Sequence, residues 1–201
     1  MAFGRSREEL LMSKLVGRGS RKGSTPVGRA GDIMQHPPAW AGVAAALAVT
    51  GRRGRRAALR GAGYYLTAAA AHLPIKAAVG RKHPRGAALL QTGPFTSSFP
   101  SGHAASDLAF VLGASQEIPM LFLPLSGATM AVHWSLIRKR SHYPSDVIAG
   151  GALGILVALA GWKLCPPEKV DPTAHDDVAE RGTQDSEPIE VAAPDKAAAT
   201  T

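Results

Sequence analysis

Three short segments of the sequence contain side chains of the kinds that bind and transfer phosphate. They read KAAVGRKHPR at residues 76–85, PSGH at residues 100–103 and HYPSD at residues 142–146. Each alone has an ordinary explanation, as a solvated loop, as a turn with a helix cap, or as a local hydrogen bond. Together they supply cations, a helix start and two histidines, one with its own carboxylate, and this set favours chemistry on a phosphate group.

Ser101 and Gly102 are predicted to open a helix. Its first N–H groups and the positive end of its dipole form an anion site, and glycine permits close approach of the backbone. Lys76 and Arg81 can add charge-assisted hydrogen bonds to phosphate oxygens. We therefore expect these four residues to bind the phosphate.

The two histidines suit the roles of a nucleophile and an acid. A second helix is predicted to start at Pro144, which places Asp146 in its first turn and within reach of His142. A carboxylate bonded to one imidazole nitrogen fixes the tautomer and leaves the other nitrogen as a nucleophile. We expect His103 to donate a proton to the leaving oxygen.

Five apolar runs position these segments, at about residues 38–50, 57–79, 103–115, 118–137 and 147–164. A bilayer core needs ~20 helical residues. The last two runs supply this length, the first and third are short, and the second is interrupted by Arg60 and His72. The stretch VIAGGALGILVALAGW at residues 147–162 has no polar face of the kind that a soluble helix shows. We therefore predict an all-α integral membrane bundle of about five transmembrane helices.

The order of the runs decides which loops share a side of the membrane. If all five runs cross, the loops at residues 80–100 and 138–146 lie on one face, and GRRGRR at residues 51–56 lies on the other with the C-terminal tail. The positive-inside rule places GRRGRR in the cytoplasm, whereas the basic residues at 138–140 and the basic N-terminus argue for the opposite orientation. We favour the first arrangement, in the plasma membrane, with the phosphate-binding loops on the extracytoplasmic face.

The 201-residue chain divides into three regions by composition. Residues 1–35 form a basic N-terminal segment, in which REELLMSKLVGRG predicts a surface helix, a frayed terminus or an interfacial helix on lipid. Residues 36–165 carry the apolar runs and form the expected membrane domain. Residues 166–201 hold nine acidic residues against three basic ones, with almost no large apolar side chains, so we expect a disordered acidic tail.

The charge of the chain bears on its partners. Residues 1–165 contain 20 Lys and Arg against six Asp and Glu, a net charge of +14. Nucleic-acid binders are often this basic, but the aromatic residues that single-strand binders interleave with basic ones are missing. Anionic lipid headgroups suit the pattern better, so we expect a membrane and no nucleic acid. The single cysteine excludes an intrachain disulfide, and no Cys/His spacing is typical of zinc sites, so no metal or cofactor is expected.

The order of the motifs resembles the type-2 phosphatidic acid phosphatase superfamily over about residues 57–164. This superfamily includes bacterial membrane prenyl-pyrophosphate phosphatases and, more remotely, vanadium haloperoxidases, which are larger, mostly soluble and need bound vanadate. The resemblance implies that His142 becomes phosphorylated, that Asp146 orients it, that His103 acts as the acid, and that no metal is required. It also implies that Lys76, Ser101 and Gly102 are phosphate ligands.

Two positions depart from the pattern of that superfamily. His83 and Leu136 stand where the superfamily has phosphate-binding arginines. Losing two charged hydrogen bonds costs roughly 3 to 6 kcal/mol, or about two to four powers of ten in rate, which slows the reaction without abolishing it. A swing of Arg81, Arg138 or Arg140 into the vacated space, or protonation of His83, would offset part of the loss. We therefore count Arg81, His83 and Arg138 among the expected phosphate ligands.

The sequence thus predicts a membrane lipid phosphatase, a metal-independent hydrolase of a phosphomonoester or pyrophosphate on a polyprenyl lipid or glycerolipid, acting through a phosphohistidine. Its short length and Ala/Gly/Arg-rich composition resemble the short actinobacterial members, which are associated with polyprenyl substrates such as decaprenyl phosphoryl-ribose phosphate in cell-wall synthesis. Phosphatidic acid, phosphatidylglycerol phosphate and undecaprenyl pyrophosphate are alternative substrates. A second hypothesis is a catalytically weak relative that binds anionic lipid headgroups or a partner enzyme.

Overall fold

The computed structural model describes residues 7–16, 26–84 and 97–168, and over these ranges the regular elements are helices. They are α1 (Arg7–Val16), α2 (Pro26–Met34), α3 (Pro37–Ala48), α4 (Arg52–Val79), α5 (Gly102–Glu117), a 3₁₀ turn (Pro119–Leu121), α6 (Phe122–Arg138) and α7 (Pro144–Leu164). The prediction of an all-α fold is confirmed. These helices belong to one compact unit, Met1–Pro167. The predicted disordered tail lies outside the described residues except for its first three positions.

Helix α5 is the centre of the bundle, because α4, α6 and α7 all pack against it. Its contact with α7 is made by glycines. A Cβ added to Gly150 would lie 2.3 Å from the carbonyl oxygen of Ser101, and one added to Gly154 would lie 2.5 Å from that of Ala105. Small residues of this kind let two helix backbones touch, so the first turns of α5 and α7 lie side by side.

Helix α4 brings a second loop to the same end of the bundle. It ends at Gly80, which adopts the left-handed conformation (φ 58°) and donates its N–H to the carbonyl of Lys76. Glycine adopts this conformation without steric cost, and it commonly terminates helices. The turn directs the chain from α4 into Arg81 and towards the start of α7.

Two helical segments of the described chain are long and apolar enough to cross a membrane, Pro119–Arg138 and Pro144–Leu164. They correspond to the fourth and fifth predicted runs, and the other three runs also form helices. Only 17% of the membrane-length window in α7 is buried, and its apolar side chains Ile148, Leu156 and Leu159 face outward. A core helix of a soluble protein would bury most of that face. The prediction of five crossings stays a prediction.

The N-terminal segment contains two helices. Helix α1 covers most of the stretch for which a surface helix was one prediction, and α2 was not predicted. Helix α2 packs against α6, where a Cβ on Gly31 would lie 2.3 Å from the carbonyl oxygen of Ala131. The N-terminal segment therefore already packs against the bundle, before residue 36, where the membrane domain was expected to begin.

Candidate active site

One end of the bundle gathers most of the residues that the motifs singled out. The first turns of α5 and α7 meet there with the chain that follows α4 and the loop between α6 and α7. His142, Asp146 and Ser101 are buried at this end, and Arg81 reaches Asp146 across 65 positions of sequence. The three motifs therefore meet in space.

The imidazole of His142 is held by a backbone carbonyl. Its Nδ1 lies 2.8 Å from the oxygen of Ser98, so Nδ1 carries the proton that it donates, and Nε2 keeps a free lone pair. The carboxylate of Asp146, which we expected to fix this tautomer, lies 3.8 Å from Nδ1, beyond hydrogen-bond range. The Ser98 carbonyl is therefore the hydrogen-bond partner of Nδ1, and Asp146 places a negative charge near the same nitrogen.

Ser98 is fixed by the chain that follows α4. Its N–H donates to the carbonyl of Arg81 at 2.8 Å, and its hydroxyl donates to the carbonyl of Lys82 at 3.2 Å. In return the Arg81 N–H donates to the Ser97 hydroxyl at 2.9 Å. The sequence did not point to Ser98, because a backbone carbonyl leaves no mark on residue type. The only signal was its place two residues before the Pro-Ser-Gly-His motif.

Asp146 is fully buried and fixed from two sides. One carboxylate oxygen accepts the N–H of Tyr143 at 2.9 Å, which caps the start of α7. The other accepts Nη1 of Arg81 at 2.7 Å. Charge-assisted bonds of this length are strong, so Asp146 ties the loop carrying His142 to the chain that follows α4.

Arg81 is shared between the site and the N-terminal helix. Its guanidinium lies 4.3 Å from the ring centre of Tyr143 and also donates through Nη1 to the Ser145 hydroxyl at 2.8 Å. Its Nη2 donates to the carboxylate of Glu8 in α1. The sequence predicted Arg81 as a phosphate ligand, and in the structure this cation contacts two carboxylates instead.

The first turn of α5 presents donors to the same space. The N–H of Ser101 donates to the carbonyl of Asp146 at 3.0 Å, and the Ser101 hydroxyl accepts the N–H of Ala104 at 3.3 Å. The N–H groups of Gly102 and His103 have no such partner among residues 7–16, 26–84 and 97–168. An anion at this helix start would therefore meet those two N–H groups and the Ser101 hydroxyl proton.

His103 and Lys76 lie around this helix start. His103 makes a hydrogen bond with the backbone of Gln35 and is close enough to His142 for their charges to interact. Lys76 is half-buried and within electrostatic range of Asp146, with no hydrogen bond or ion pair to the described part of the chain. Gly102 has no room for a side chain, because an added Cβ would lie 2.7 Å from Nε2 of His72. The site thus contains one ammonium group that lacks a hydrogen-bonded acceptor in the described chain.

The two positions that lack the family arginine have different surroundings. His83 places Nδ1 2.5 Å from the carbonyl of Ser141, and its ring centre lies 5.5 Å from that of His142. Leu136 is buried, and its carbonyl accepts the N–H of Ser141 at 3.0 Å. His83 therefore lies beside the proposed nucleophile, whereas Leu136 contributes its apolar side chain to the interior.

Asp32 of α2 supports the end of α6 and was not predicted. Its carboxylate accepts the hydroxyl of Ser135 and lies 2.8 Å from Nζ of Lys139. Burial alone would raise the pKa of the Asp32 carboxyl, but the hydrogen bonds from Lys139 and Ser135 outweigh it and lower the pKa. Arg138 also lies within electrostatic range of this carboxylate, on the side of α6 that faces α2.

Metal binding needs several converging His, Cys, Asp or Glu side chains. Within the described ranges, no group of three or more such residues is arranged to hold a metal ion. The histidines of the site are separately bonded to backbone carbonyls, as His142 is to Ser98 and His83 is to Ser141. Each of these two rings is therefore oriented by its own carbonyl.

Comparison with protein-family models finds one match over this part of the chain. The model described as the PAP2 superfamily covers residues 57–169, which is more than half of the sequence and includes all three motifs. Searches of curated proteins and of solved structures found no match.

Proposed function

Because the chain belongs to the PAP2 superfamily, whose members are phosphatases, we propose that it is a membrane lipid phosphatase acting through a phosphohistidine. The observation that carries this proposal is the tautomer of His142. Its Nδ1 is bonded to the Ser98 carbonyl, so the lone pair on Nε2 is available to attack phosphorus. A buried imidazole fixed in this way is prepared for a nucleophilic role.

The reaction has two steps. Nε2 of His142 attacks phosphorus and forms a P–N bond while the P–O bond to the lipid breaks, and His103 gives a proton to the leaving oxygen. Water then attacks the phosphohistidine, His103 takes a proton from that water, and the P–N bond breaks to release inorganic phosphate. Asp146 stabilises the positive charge that develops on His142, since its carboxylate lies 3.8 Å from Nδ1.

The phosphate is bound by donors from three segments. The proposed ligands are the ammonium of Lys76, the N–H of Gly102 and the hydroxyl of Ser101, with Arg81, His83 and Arg138 adding positive charge. The unpaired Gly102 N–H and the ammonium of Lys76 support this arrangement, because both groups lack an acceptor in the described chain. Binding a phosphate dianion would supply that acceptor.

The substrate is proposed to be a lipid because the site lies at one end of both membrane-length segments. Exposed apolar side chains surround the bundle, among them Leu66 on α4, Leu123 on α6 and Leu156 on α7. A headgroup could enter the site while its tail stays beside these side chains. We propose a polyprenyl phosphate such as decaprenyl phosphoryl-ribose phosphate, hydrolysed on the extracytoplasmic face of the plasma membrane during cell-wall synthesis.

The test is phosphate release by the purified full-length protein in detergent, with a chelator present. The panel is decaprenyl phosphoryl-ribose phosphate, phosphatidic acid, phosphatidylglycerol phosphate and undecaprenyl pyrophosphate. We expect release from at least one lipid and the largest kcat/KM for the polyprenyl monoester. Absence of release from all four lipids would overturn the phosphatase proposal, and a strict need for added metal would overturn the metal-independent mechanism.

The acid role of His103 has its own test. His103→Gln should lower kcat for a lipid substrate by about 10² to 10⁴. The rate of the first step, measured as the burst of leaving-group release, should fall much less with p-nitrophenyl phosphate, because its leaving group departs without a proton. Equal losses in this first step on both substrates would show that His103 positions other groups instead of donating a proton.

A second candidate function is favoured by the buried Leu136. Its apolar side chain cannot replace the family arginine as a phosphate ligand, and a catalytically weak protein that binds anionic headgroups would tolerate this change. Such a protein would co-sediment with vesicles containing phosphatidic acid and release no phosphate from any lipid. Phosphate release that is abolished in His142→Ala excludes this alternative.

A further inference from the structure

We propose that Glu8 of α1 is an intramolecular competitor of the substrate phosphate, because its carboxylate occupies the outward-facing side of the Arg81 guanidinium. This inference rests on the proposed function, since it assigns Arg81 to phosphate binding. It adds a residue from the N-terminal helix, outside the region matched by the family, that determines how tightly the site holds an anion.

The two carboxylates on Arg81 are not equivalent. Nη1 donates to Asp146, whose side chain is fully buried, whereas Nη2 donates to Glu8, whose side chain is 31% exposed. A buried ion pair is costly to break, but a partly exposed one contributes little and exchanges readily. An incoming phosphate can therefore replace Glu8 on Nη2 without disturbing the contact between Nη1 and Asp146.

The position of Glu8 follows from the helical period of α1. Residues 8, 12 and 16 fall on one stripe of the helix, and Met12 and Val16 of that stripe are buried. Leu10, Leu11 and Leu15, outside this stripe, are exposed. Burial of the stripe turns Glu8 inward, so the contact with Arg81 is set by the packing of the helix.

A tethered carboxylate competes at a high effective concentration. It presents two acceptor oxygens to a guanidinium, as a phosphate does. The apparent dissociation constant for phosphate is therefore the intrinsic constant divided by the fraction of time that Glu8 leaves Nη2 free. Once phosphate is bound, Glu8 has left, so the chemical step does not involve it. The competitor thus acts on KM and leaves kcat unchanged.

The experiment compares Glu8→Gln with Glu9→Gln in the full-length protein. Glu9 is the neighbouring acid in the same helical turn, so its substitution makes the same change in charge. Inorganic phosphate is titrated calorimetrically into detergent-solubilised protein, and KM and kcat are measured on the best lipid. We expect Glu8→Gln to bind phosphate about three- to tenfold more tightly, with KM falling and kcat unchanged, as estimated from a partly exposed charge pair. Glu9→Gln should match the wild type.

A double substitution tests whether Glu8 acts through Arg81. In an Arg81→Gln background, Glu8→Gln should no longer change phosphate affinity. Unchanged or weaker phosphate binding by Glu8→Gln alone would overturn this proposal, and so would equal tightening by Glu9→Gln. If the wild type neither binds inorganic phosphate nor hydrolyses any lipid, the proposed function fails and this inference fails with it. If the protein hydrolyses lipid but Glu8→Gln changes neither KM nor phosphate affinity, the competitor role of Glu8 is overturned and the proposed function stands.

Discussion

Two arginines of the bundle each hold a buried carboxylate at 2.7 Å, at opposite ends of the same helices. Arg81 pairs with Asp146 beside His142, and Arg60 pairs with Glu117 at the far end of α5. Arg60 lies 16 positions before Lys76 on α4, or about 24 Å along the helix. A comparison of the two networks separates charges that hold the fold from charges that remain available to a ligand.

At the far end, the arginine donors meet acceptors within the protein. Arg60 donates to the Glu117 carboxylate at 2.7 Å, to the Tyr64 hydroxyl at 3.1 Å and to the Cys165 carbonyl at 2.5 Å. Arg53 donates to the carbonyl of Glu117 at 2.7 Å. These bonds join α4 and α5 to the end of α7, and such satisfied networks stabilise a fold.

At the other end, two donor groups and one imidazole lone pair have no hydrogen-bond partner in the described chain. Lys76 has no hydrogen-bonded acceptor there, the Gly102 N–H has none, and Nε2 of His142 is not bonded while Nδ1 is. Unmatched polar groups reduce stability, and at this end they are the groups that the proposed function assigns to phosphate binding and attack. The difference teaches that an Arg–carboxylate pair occurs both in a network that joins helices and beside the proposed site, so the pair alone does not identify function.

The largest expected effect is a loss of kcat from a substitution at the end of the bundle that contains His142. His142→Ala removes the proposed nucleophile and should lower kcat by at least about 10⁴-fold, as for nucleophiles of covalent hydrolases. Stability should fall only by about 1 kcal/mol, since one hydrogen bond to Ser98 is lost. Parallel kinetics and thermal unfolding check this prediction. Retained activity would show that the two networks do not differ in the way proposed.

Glu117→Gln should have the opposite signature. Removing one partner of a buried pair leaves an uncompensated charge on Arg60 and should cost about 3 kcal/mol of stability. Because Glu117 is remote from His142, kcat below the unfolding transition should change less than twofold. The comparison variant is Asp146→Asn, which should lower both stability and kcat. A large loss of kcat in Glu117→Gln would contradict the division into two ends.

Lys76→Met tests the ammonium group directly. Loss of a charged hydrogen bond to phosphate costs about 1.5 to 3 kcal/mol, or about 10- to 150-fold in kcat/KM. Thermal stability should stay constant or rise, because the ammonium is half-buried without an ion pair in the described chain. Lys82→Met, at an exposed lysine six residues on, is the matched control and should leave kcat/KM unchanged.

The smallest effect is expected at Asp32, which supports α6 at the active end. Its pKa is lowered in the folded state, so its contribution to stability is present above the unfolded pKa and is lost as pH falls through the folded pKa. Asp32→Asn should therefore reduce stability at pH 7 by less than about 1 kcal/mol, given its exposure. Unfolding midpoints measured against pH should converge with the wild type in acid. A difference in unfolding midpoint that stayed constant with pH would show that ionisation of Asp32 is not the cause.

Local features of the fold could be predicted from the sequence. The starts of α5 and α7 were expected at Ser101–Gly102 and Pro144, and the helices begin at Gly102 and Pro144. Caps and prolines act within one turn, so neighbouring residues reveal them. The apolar runs likewise predicted helices, because the hydrophobic pattern is local to each element.

Three contacts of the site could not be predicted. Their partners are far apart in sequence, and the types of these residues do not indicate which partner they contact. Glu8 reaches Arg81 across 73 positions, Asp32 reaches Ser135 across 103, and Ser98 acts through its backbone. Helix α2 was missed because its two glycines weaken a helical pattern. In the fold, Gly31 lets α2 approach α6, and tertiary packing outweighs the propensity.

Gly150 bears on the spacing between His103 and His142, the two histidines of the proposed mechanism. The carbonyl of Ser101 occupies the space that a Cβ on Gly150 would need, and the N–H of the same serine binds the Asp146 carbonyl. Close approach of the first turn of α5 to α7 therefore depends on the absence of a methyl group at Gly150, and this approach fixes the spacing between the segments that carry His103 and His142. An alanine at this position would move these two segments apart without changing either imidazole chemically.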